Sequence, residues 1–163
     1  MIHAIWAEDV EHLIGVNGTL PWHLPAELQH FKSLTINNAI VMGSVTYEGM
    51  QKRLLPNRVN IILTRDTQYE VQNGLVMHDM ESCIDWYDQH DYELFIIGGA
   101  QVIKAFEPYI EVIHRTVIHH KFDGDTYFPT DFDLSNFKLE SSKIHPKDSK
   151  NQYDFEIQTY YRK

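Results

Sequence analysis

The stretch Glu93-Leu-Phe-Ile-Ile-Gly-Gly-Ala-Gln-Val-Ile-Lys-Ala-Phe106 decides the fold class. Leu94 to Ile97 are apolar without alternation, the pattern of a strand covered on both faces. Gly98-Gly99 break the run, and residues 100–106 read as a helix. A strand that feeds a helix across a tight turn is the unit of a parallel sheet, because parallel neighbours need a crossover.

The same pattern repeats in both directions. Strands are predicted at residues 2–8, 39–42, 59–64, 75–77, 93–97 and 112–120. Helices are predicted at 25–34, 46–52, 80–89 and 100–106. Residues 137–143 and 153–161 read instead as an antiparallel pair joined by the polar link 144–151. Along the last strand Tyr153, Phe155, Ile157, Thr159 and Tyr161 share one face. The expectation is one α/β domain over residues 1–163, with a mixed, mostly parallel sheet flanked by helices and a C-terminal antiparallel hairpin. Ligands of such sheets sit beyond the carboxyl ends of the strands.

Composition narrows the function. The formal net charge of −9 argues against a nucleic-acid partner, whose footprint is basic. Cys83 is the only cysteine, which excludes an intramolecular disulfide and suits a reducing cytoplasm. No signal-peptide pattern opens the chain, and no apolar run reaches membrane-spanning length, so no membrane partner is expected. The ten histidines include no His-Glu-x-x-His pair, and no metal site is expected. A Gly-x-Ser-x-Gly elbow is also lacking, which argues against a serine hydrolase.

Glu27 carries the sharpest chemistry. Pro25 suits the first position of a helix, which puts Glu27 in its first turn, where an acid complements the helix dipole. A capping box would need Ser or Thr where Leu24 stands. Trp22, Leu24, Leu28 and Phe31 surround the acid with apolar groups, a setting that raises a carboxyl pKa and suits it to proton chemistry. Three predicted strand ends also carry anion-binding devices: Gly98-Gly99 before a helix, Gly43-Ser44-Val45-Thr46 before another, and Leu63-Thr64-Arg65. Each has a plainer reading, as a turn, a helix cap by Ser44 or Thr46, and a surface charge. Together they suggest a nucleotide with several phosphates. Arg58, after Pro56-Asn57, is a candidate partner for a substrate carboxylate.

Ile14-Gly15, Gly18 to Trp22, Leu24-Pro25, Phe31-Lys32, Val41-Met-Gly43, Thr46, Leu55-Pro-Asn-Arg58, Ile97-Gly-Gly99 and Gly124-Asp-Thr-Tyr-Phe-Pro129 occur in this order across the chain. In that order and spacing the sequence resembles the bacterial dihydrofolate reductases. The resemblance implies an eight-stranded sheet and NADPH-dependent reduction of 7,8-dihydrofolate. Glu27 would hydrogen-bond the pterin and favour protonation at N5 while hydride reaches C6. Thr116 would support Glu27, with Trp22 nearby. Leu20, at the tip of a mobile loop from Gly15 to Trp22, would control water access.

Ile5, Ala7, Leu28, Phe31, Lys32, Met50 and Leu55 would line the substrate pocket, Arg58 would hold the glutamate tail, and the Ile97 carbonyl would meet the pterin edge. Ala7, Ile14, Asn17, Gly18, Leu20, Ile97 and Thr126 would border the cofactor. Gly98-Gly99, a cis peptide in the family, would approach the pyrophosphate with Ala100, Gln101 and Val102. Gly43, Ser44, Val45, Thr46, Leu63, Thr64 and Arg65 would hold the rest of it, the last two at the 2′-phosphate. Asp125 and Thr126 would belong to a loop coupled to the mobile one. Antifolate inhibitors are implied as further ligands, and a monomer is expected.

Four positions depart from the family pattern. Glu27 replaces the usual bacterial Asp, and Ser44 replaces an Arg, which shifts phosphate recognition onto Arg65. Ile103 stands where an aromatic is common, and Lys52-Arg-Leu-Leu-Pro56 is one residue longer than usual. The alternatives are a reductase of a riboflavin precursor and a non-catalytic folate- or nucleotide-binding protein.

Overall fold

The computed structural model describes residues 1–163. Its element order is β1 (Ile2–Asp9), β2 (Leu13–Gly15), α1 (Pro25–Thr35), β3 (Ala39–Gly43), α2 (Ser44–Gly49), β4 (Val59–Leu63), β5 (Leu75–Met77), α3 (Met80–Asp88), β6 (Leu94–Gly98), α4 (Ala100–Phe106), β7 (Val112–Ile118), β8 (Thr126–Tyr127), β9 (Phe137–His145) and β10 (Phe155–Arg162). Eight strands form one sheet in the order β5-β4-β3-β6-β1-β7-β10-β9. Every pairing from β5 to β7 is parallel, and β10 runs antiparallel to both β7 and β9. This is the mixed, mostly parallel sheet with a terminal hairpin that the strand and helix pattern predicts.

The period of two along each strand distributes side chains to two helical layers. Ala4 and Trp6 of β1 face the layer of Cys83, Ile103 and Phe106, from α3 and α4. Ile5, between them, joins Ile40, Met42, Ile62 and Phe95 on the opposite face, against which Phe31 and Leu34 of α1 pack. The sheet is therefore covered on both sides, which explains why its central strands are apolar without alternation.

The structure differs from the sequence reading in several places, α2 ending at Gly49 rather than residue 52 and β10 starting at Phe155 rather than residue 153 among them. α2 begins at Ser44, directly after Gly43, two residues earlier than expected, and no side chain caps it. β7 ends at Ile118, so His119 and His120 lie beyond the strand. β9 continues to His145, with a bulge at Glu140 opposite the Thr159–Tyr160 step, and Tyr161 is exposed at the end of β10. A small second sheet, β2 with β8, was not foreseen. Three and two residues are too short to show periodicity.

Asn60 is the polar interruption in β4 and is buried. Its amide nitrogen donates to the Leu55 carbonyl at 2.9 Å and the Arg58 carbonyl at 3.0 Å, and its oxygen accepts from the Leu55 amide at 3.0 Å. One side chain thereby holds the loop from Leu55 to Arg58 onto the sheet. Asn60→Ala should destabilise the fold by about 2–4 kcal/mol, because it strands buried loop groups without partners. Urea denaturation checks this, and a loss below about 0.5 kcal/mol would mean that the loop is held by other contacts.

Candidate active site

The strand order places three strand ends side by side. β4, β3 and β6 are consecutive neighbours, with Gly43 opposite Leu63 and Met42 opposite Gly98. The three anion-binding devices inferred from sequence therefore form one row. Beyond it opens a cleft of about 640 Å³, within the range of small-molecule sites.

One end of the cleft is bordered by α1 and the loop after α2. Ile5, Ala7, Glu27, Leu28, Phe31, Lys32, Met50, Leu55 and Arg58 line it. Glu27 is 7% exposed, and burial alone pushes its carboxyl up to about 7. Its position follows from the helix start: Pro25 takes the first helical position, and the amides of Glu27 and Leu28 both donate to the Leu24 carbonyl at 3.0 Å. Arg58 is fixed along two of its edges, donating through Nε to the Pro56 carbonyl and through Nη1 to Thr35 Oγ1, both at 3.0 Å. Trp22 and Thr116 are buried and do not line the open volume. Trp22 packs on Phe122 at 5.3 Å between ring centres, and its Nε1 has no partner in the protein. Thr116 lies on β7 opposite Ala7.

The other end is glycine-rich. Ile97, Gly98, Gly99 and Ala100 line it with Val45, Thr46, Ile14, Gly18, Leu20 and Thr126. The Gly98–Gly99 peptide is cis, and Gly98 has φ +134°, a conformation that favours glycine. A Cβ on either residue would project toward Thr46 Oγ1, at 3.6 and 3.7 Å, so the missing side chains leave a cradle of bare backbone. Gly43, Ser44, Leu63, Thr64, Arg65, Gln101 and Val102 do not line the enclosed volume but continue the same row outward. Thr64 Oγ1 accepts from the Asp66 amide at 3.2 Å, and Arg65 is exposed.

The loop between β2 and α1 folds over this end. Its register is set by β8, with Gly15 opposite Thr126. Asp125 Oδ2 accepts from the Asn17 amide at 3.1 Å, and the Asp125 amide donates to the Gly15 carbonyl at 3.2 Å. The Gly18 carbonyl lies where a Cβ of Gly49 would stand, so the loop rests on the C-terminal end of α2. Leu20 remains 49% exposed at the cleft mouth.

Among the lining residues, Gly15 and Thr19 fall within the loop that the resemblance names, Ile103 is a position noted as departing from the family pattern, and Trp6 and Gly49 were missed altogether. Trp6 reaches the cleft because it stacks on Phe128 at 4.2 Å while its Nε1 donates to Glu8 Oε1 at 3.0 Å. Alternation assigns Trp6 to the core face, and only the packing of the segment after β8 shows that its ring borders the cleft. Gly49 could be recognised only from the backbone of the loop that touches it.

A family model described as dihydrofolate reductase matches residues 1–162. A dihydrofolate reductase of Lactococcus lactis is 52% identical over 162 residues, covering 98% of this chain and 96% of that protein. One from Bacillus subtilis is 43% identical and covers 100% and 95% respectively. A solved dihydrofolate reductase from Enterococcus faecalis, complexed with NADP(H) and RAB-propyl, superposes with a TM-score of 0.96 at 42% identity, covering 99% of this chain and 96% of that one. With the family model spanning almost every residue, the chain belongs to the dihydrofolate reductase family, of bacterial type.

Proposed function

We propose that the chain catalyses the NADPH-dependent reduction of 7,8-dihydrofolate to 5,6,7,8-tetrahydrofolate, with Glu27 directing protonation at N5. The observation that carries this reading is one carboxyl, raised to about 7 by burial, in an apolar cleft that also contains a glycine cradle. A carboxyl with that affinity exchanges a proton near neutral pH, where a general acid works best. The bare backbone of Gly98-Gly99 beside Thr46 fits a dinucleotide pyrophosphate, and bound NADPH supplies the hydride that reaches C6.

The protein's own residues then have these roles. Glu27 pairs with the pterin ring, and Thr116 and Trp22 orient it from behind. Ile5, Ala7, Leu28, Phe31, Met50 and Leu55 exclude water from the flat ring system, and Ile97 offers its carbonyl to the pterin edge. Arg58, held along two edges, presents the remainder of its guanidinium to the α-carboxylate of the substrate, with Lys32 beside it at the mouth. Ile14, Asn17, Gly18 and Leu20, pinned by Asp125 and Thr126, close the nicotinamide end. Gly43, Ser44, Val45, Thr46, Gln101 and Val102 hold the phosphates, and Leu63, Thr64 and Arg65 hold the adenosine side. The enzyme is read as a monomer of one domain over residues 1–163, and antifolates would compete for the pterin end. No helix of the protein is long and apolar enough to cross a membrane.

An absorbance assay with dihydrofolate tests the reading: NADPH should be oxidised rapidly, and the rate should fall as pH rises through about 7, where Glu27 loses its proton. Glu27→Gln should lower kcat at pH 7 by about 100-fold or more, with the deficit shrinking at acid pH as solvent protonates N5. Near-normal turnover by this variant at pH 7 would remove Glu27 from the mechanism.

The same carboxyl affects stability. Its folded value of about 7 exceeds the ordinary 4.5, so the stabilisation from its bound proton is complete below 4.5 and is lost as pH rises through 7. Glu27→Gln should therefore be more stable than wild type at pH 8, by at most about 3 kcal/mol, and by little at pH 4. Urea denaturation of both proteins at the two pH values measures the difference, and equal stability at pH 8 would show that the carboxylate is already compensated.

With Ser44 uncharged, Arg65 is the basic side chain of this row available to a 2′-phosphate. Arg65→Ala should raise the KM for NADPH about tenfold and leave that for NADH unchanged. Equal effects on both cofactors would place Arg65 away from the phosphate.

A further inference from the structure

Helix α1 carries Glu27, yet it has no cap of its own. Leu24 occupies the N-cap and offers no side-chain acceptor. Pro25 has no amide hydrogen, and the amides of Glu27 and Leu28 both reach the Leu24 carbonyl. Ala26 is left as the first-turn donor without a local partner. That donor is satisfied from the far end of the chain: Asn151 Oδ1 accepts from the Ala26 amide at 2.9 Å, across 125 residues.

Asn151 is built for this contact. It lies in the link between β9 and β10, is 4% exposed, and is clamped by Asp148. Its Nδ2 donates to both Asp148 carboxyl oxygens, at 3.0 and 3.2 Å, and its backbone amide donates to Asp148 Oδ1 at 2.8 Å. The Asp148 amide in turn donates to the Asn151 carbonyl at 2.8 Å. With Nδ2 committed to the carboxylate, the side-chain oxygen is oriented toward α1. The next residue after Ala26 is Glu27.

We propose that Asn151 is a positioning residue: it caps α1 in trans and thereby holds the Glu27 carboxyl at its buried place in the cleft. The inference builds on the reading of Glu27 as the active-site acid. Without the cap, the first turn loosens and water reaches the carboxyl, and the freed Ala26 amide becomes a donor for it. Both effects favour the ionised form and lower the carboxyl pKa. The charged side chains lining the cleft with Glu27 are Lys32 and Arg58, and neither changes in the variants below.

The test compares wild type, Asn151→Ala and the exchange Asp148→Asn/Asn151→Asp. The exchange retains an acceptor against Ala26 and a donor–acceptor link within the clamp, while moving a negative charge onto α1. The readouts are amide hydrogen exchange at Ala26, 13C NMR titration of Glu27 (assigned with Glu27→Gln), and the pH profile of kcat. In wild type the Ala26 amide should be protected. In Asn151→Ala its exchange should accelerate about tenfold, the Glu27 midpoint should fall by about one pH unit, and kcat at pH 7 should fall about fivefold with the NADPH KM unchanged. In the exchanged protein the amide should be protected again and the Glu27 midpoint should move to or above the wild-type value.

A residue that only stabilised the fold would lower the melting temperature and leave the titration in place, and that result overturns the proposal. An unprotected Ala26 amide in wild type or in the exchanged protein overturns it as well, even if Asn151→Ala does not fold. The two NMR readouts need no turnover. An inactive wild type, or a fully active Glu27→Gln, would therefore remove the functional reading while leaving the cap itself established or refuted on its own terms.

Discussion

The rest of the site depends on one unfavourable placement, a carboxyl at the base of an apolar cleft. Desolvation alone raises Glu27 to about 7, and no cation opposes that rise. The fold must therefore press α1 onto the sheet firmly enough to keep water away. It does so with Phe31 and Leu34 packed over Ile5, Ile40 and Phe95. Ile5 and Phe31 line the cleft wall and also belong to the packing that keeps water from the acid. A more solvated cleft would leave the carboxyl an ordinary, fully ionised acid at neutral pH.

The sheet supplies the second half of the site. In a parallel sheet all strands end on the same side, so neighbours in the order β4, β3, β6 bring Leu63, Gly43 and Gly98 into a row. The chain needs side chains at few points of that row. Glycine at Gly98 and Gly99 exposes the backbone, and Gly43 could take only a side chain that displaced Val102, which a Cβ would meet at 3.2 Å. Gly43 is thus constrained by an approach distance, and Gly98 by its backbone conformation.

Much of this was legible in the residues. The apolar runs marked the central strands because both faces are covered, and Pro25 marked the start of α1 because it has no amide to lose. Glu27 stood out because its neighbours were apolar and its helix lacked a cap residue. What escaped the sequence was set by contacts between distant segments. The β2–β8 pair is too short to show a period. Trp6 borders the cleft through Phe128, 122 residues away. Gly49 is required by the carbonyl of Gly18, and the cap of α1 comes from Asn151. Local patterns report local periodicity and capping, and they are silent where the partner comes from another part of the chain.

The global charge and the local site point in opposite directions, and distance reconciles them. A chain with net charge −9 would repel an anionic substrate and an anionic cofactor if charge acted uniformly. At physiological ionic strength, however, exposed charges are screened beyond about 8 Å. Arg58 and Lys32 stand at one mouth of the cleft, and Arg65 follows β4 on the row leading from the other. A ligand within the cleft lies close to these few cations, while most acidic side chains act through screened solvent. Arg58 is also held by Pro56 and Thr35, so its guanidinium is already ordered at the cleft mouth. Net charge and local charge thus act at different ranges, and the cations near the cleft set the potential inside it more than the acidic surface does.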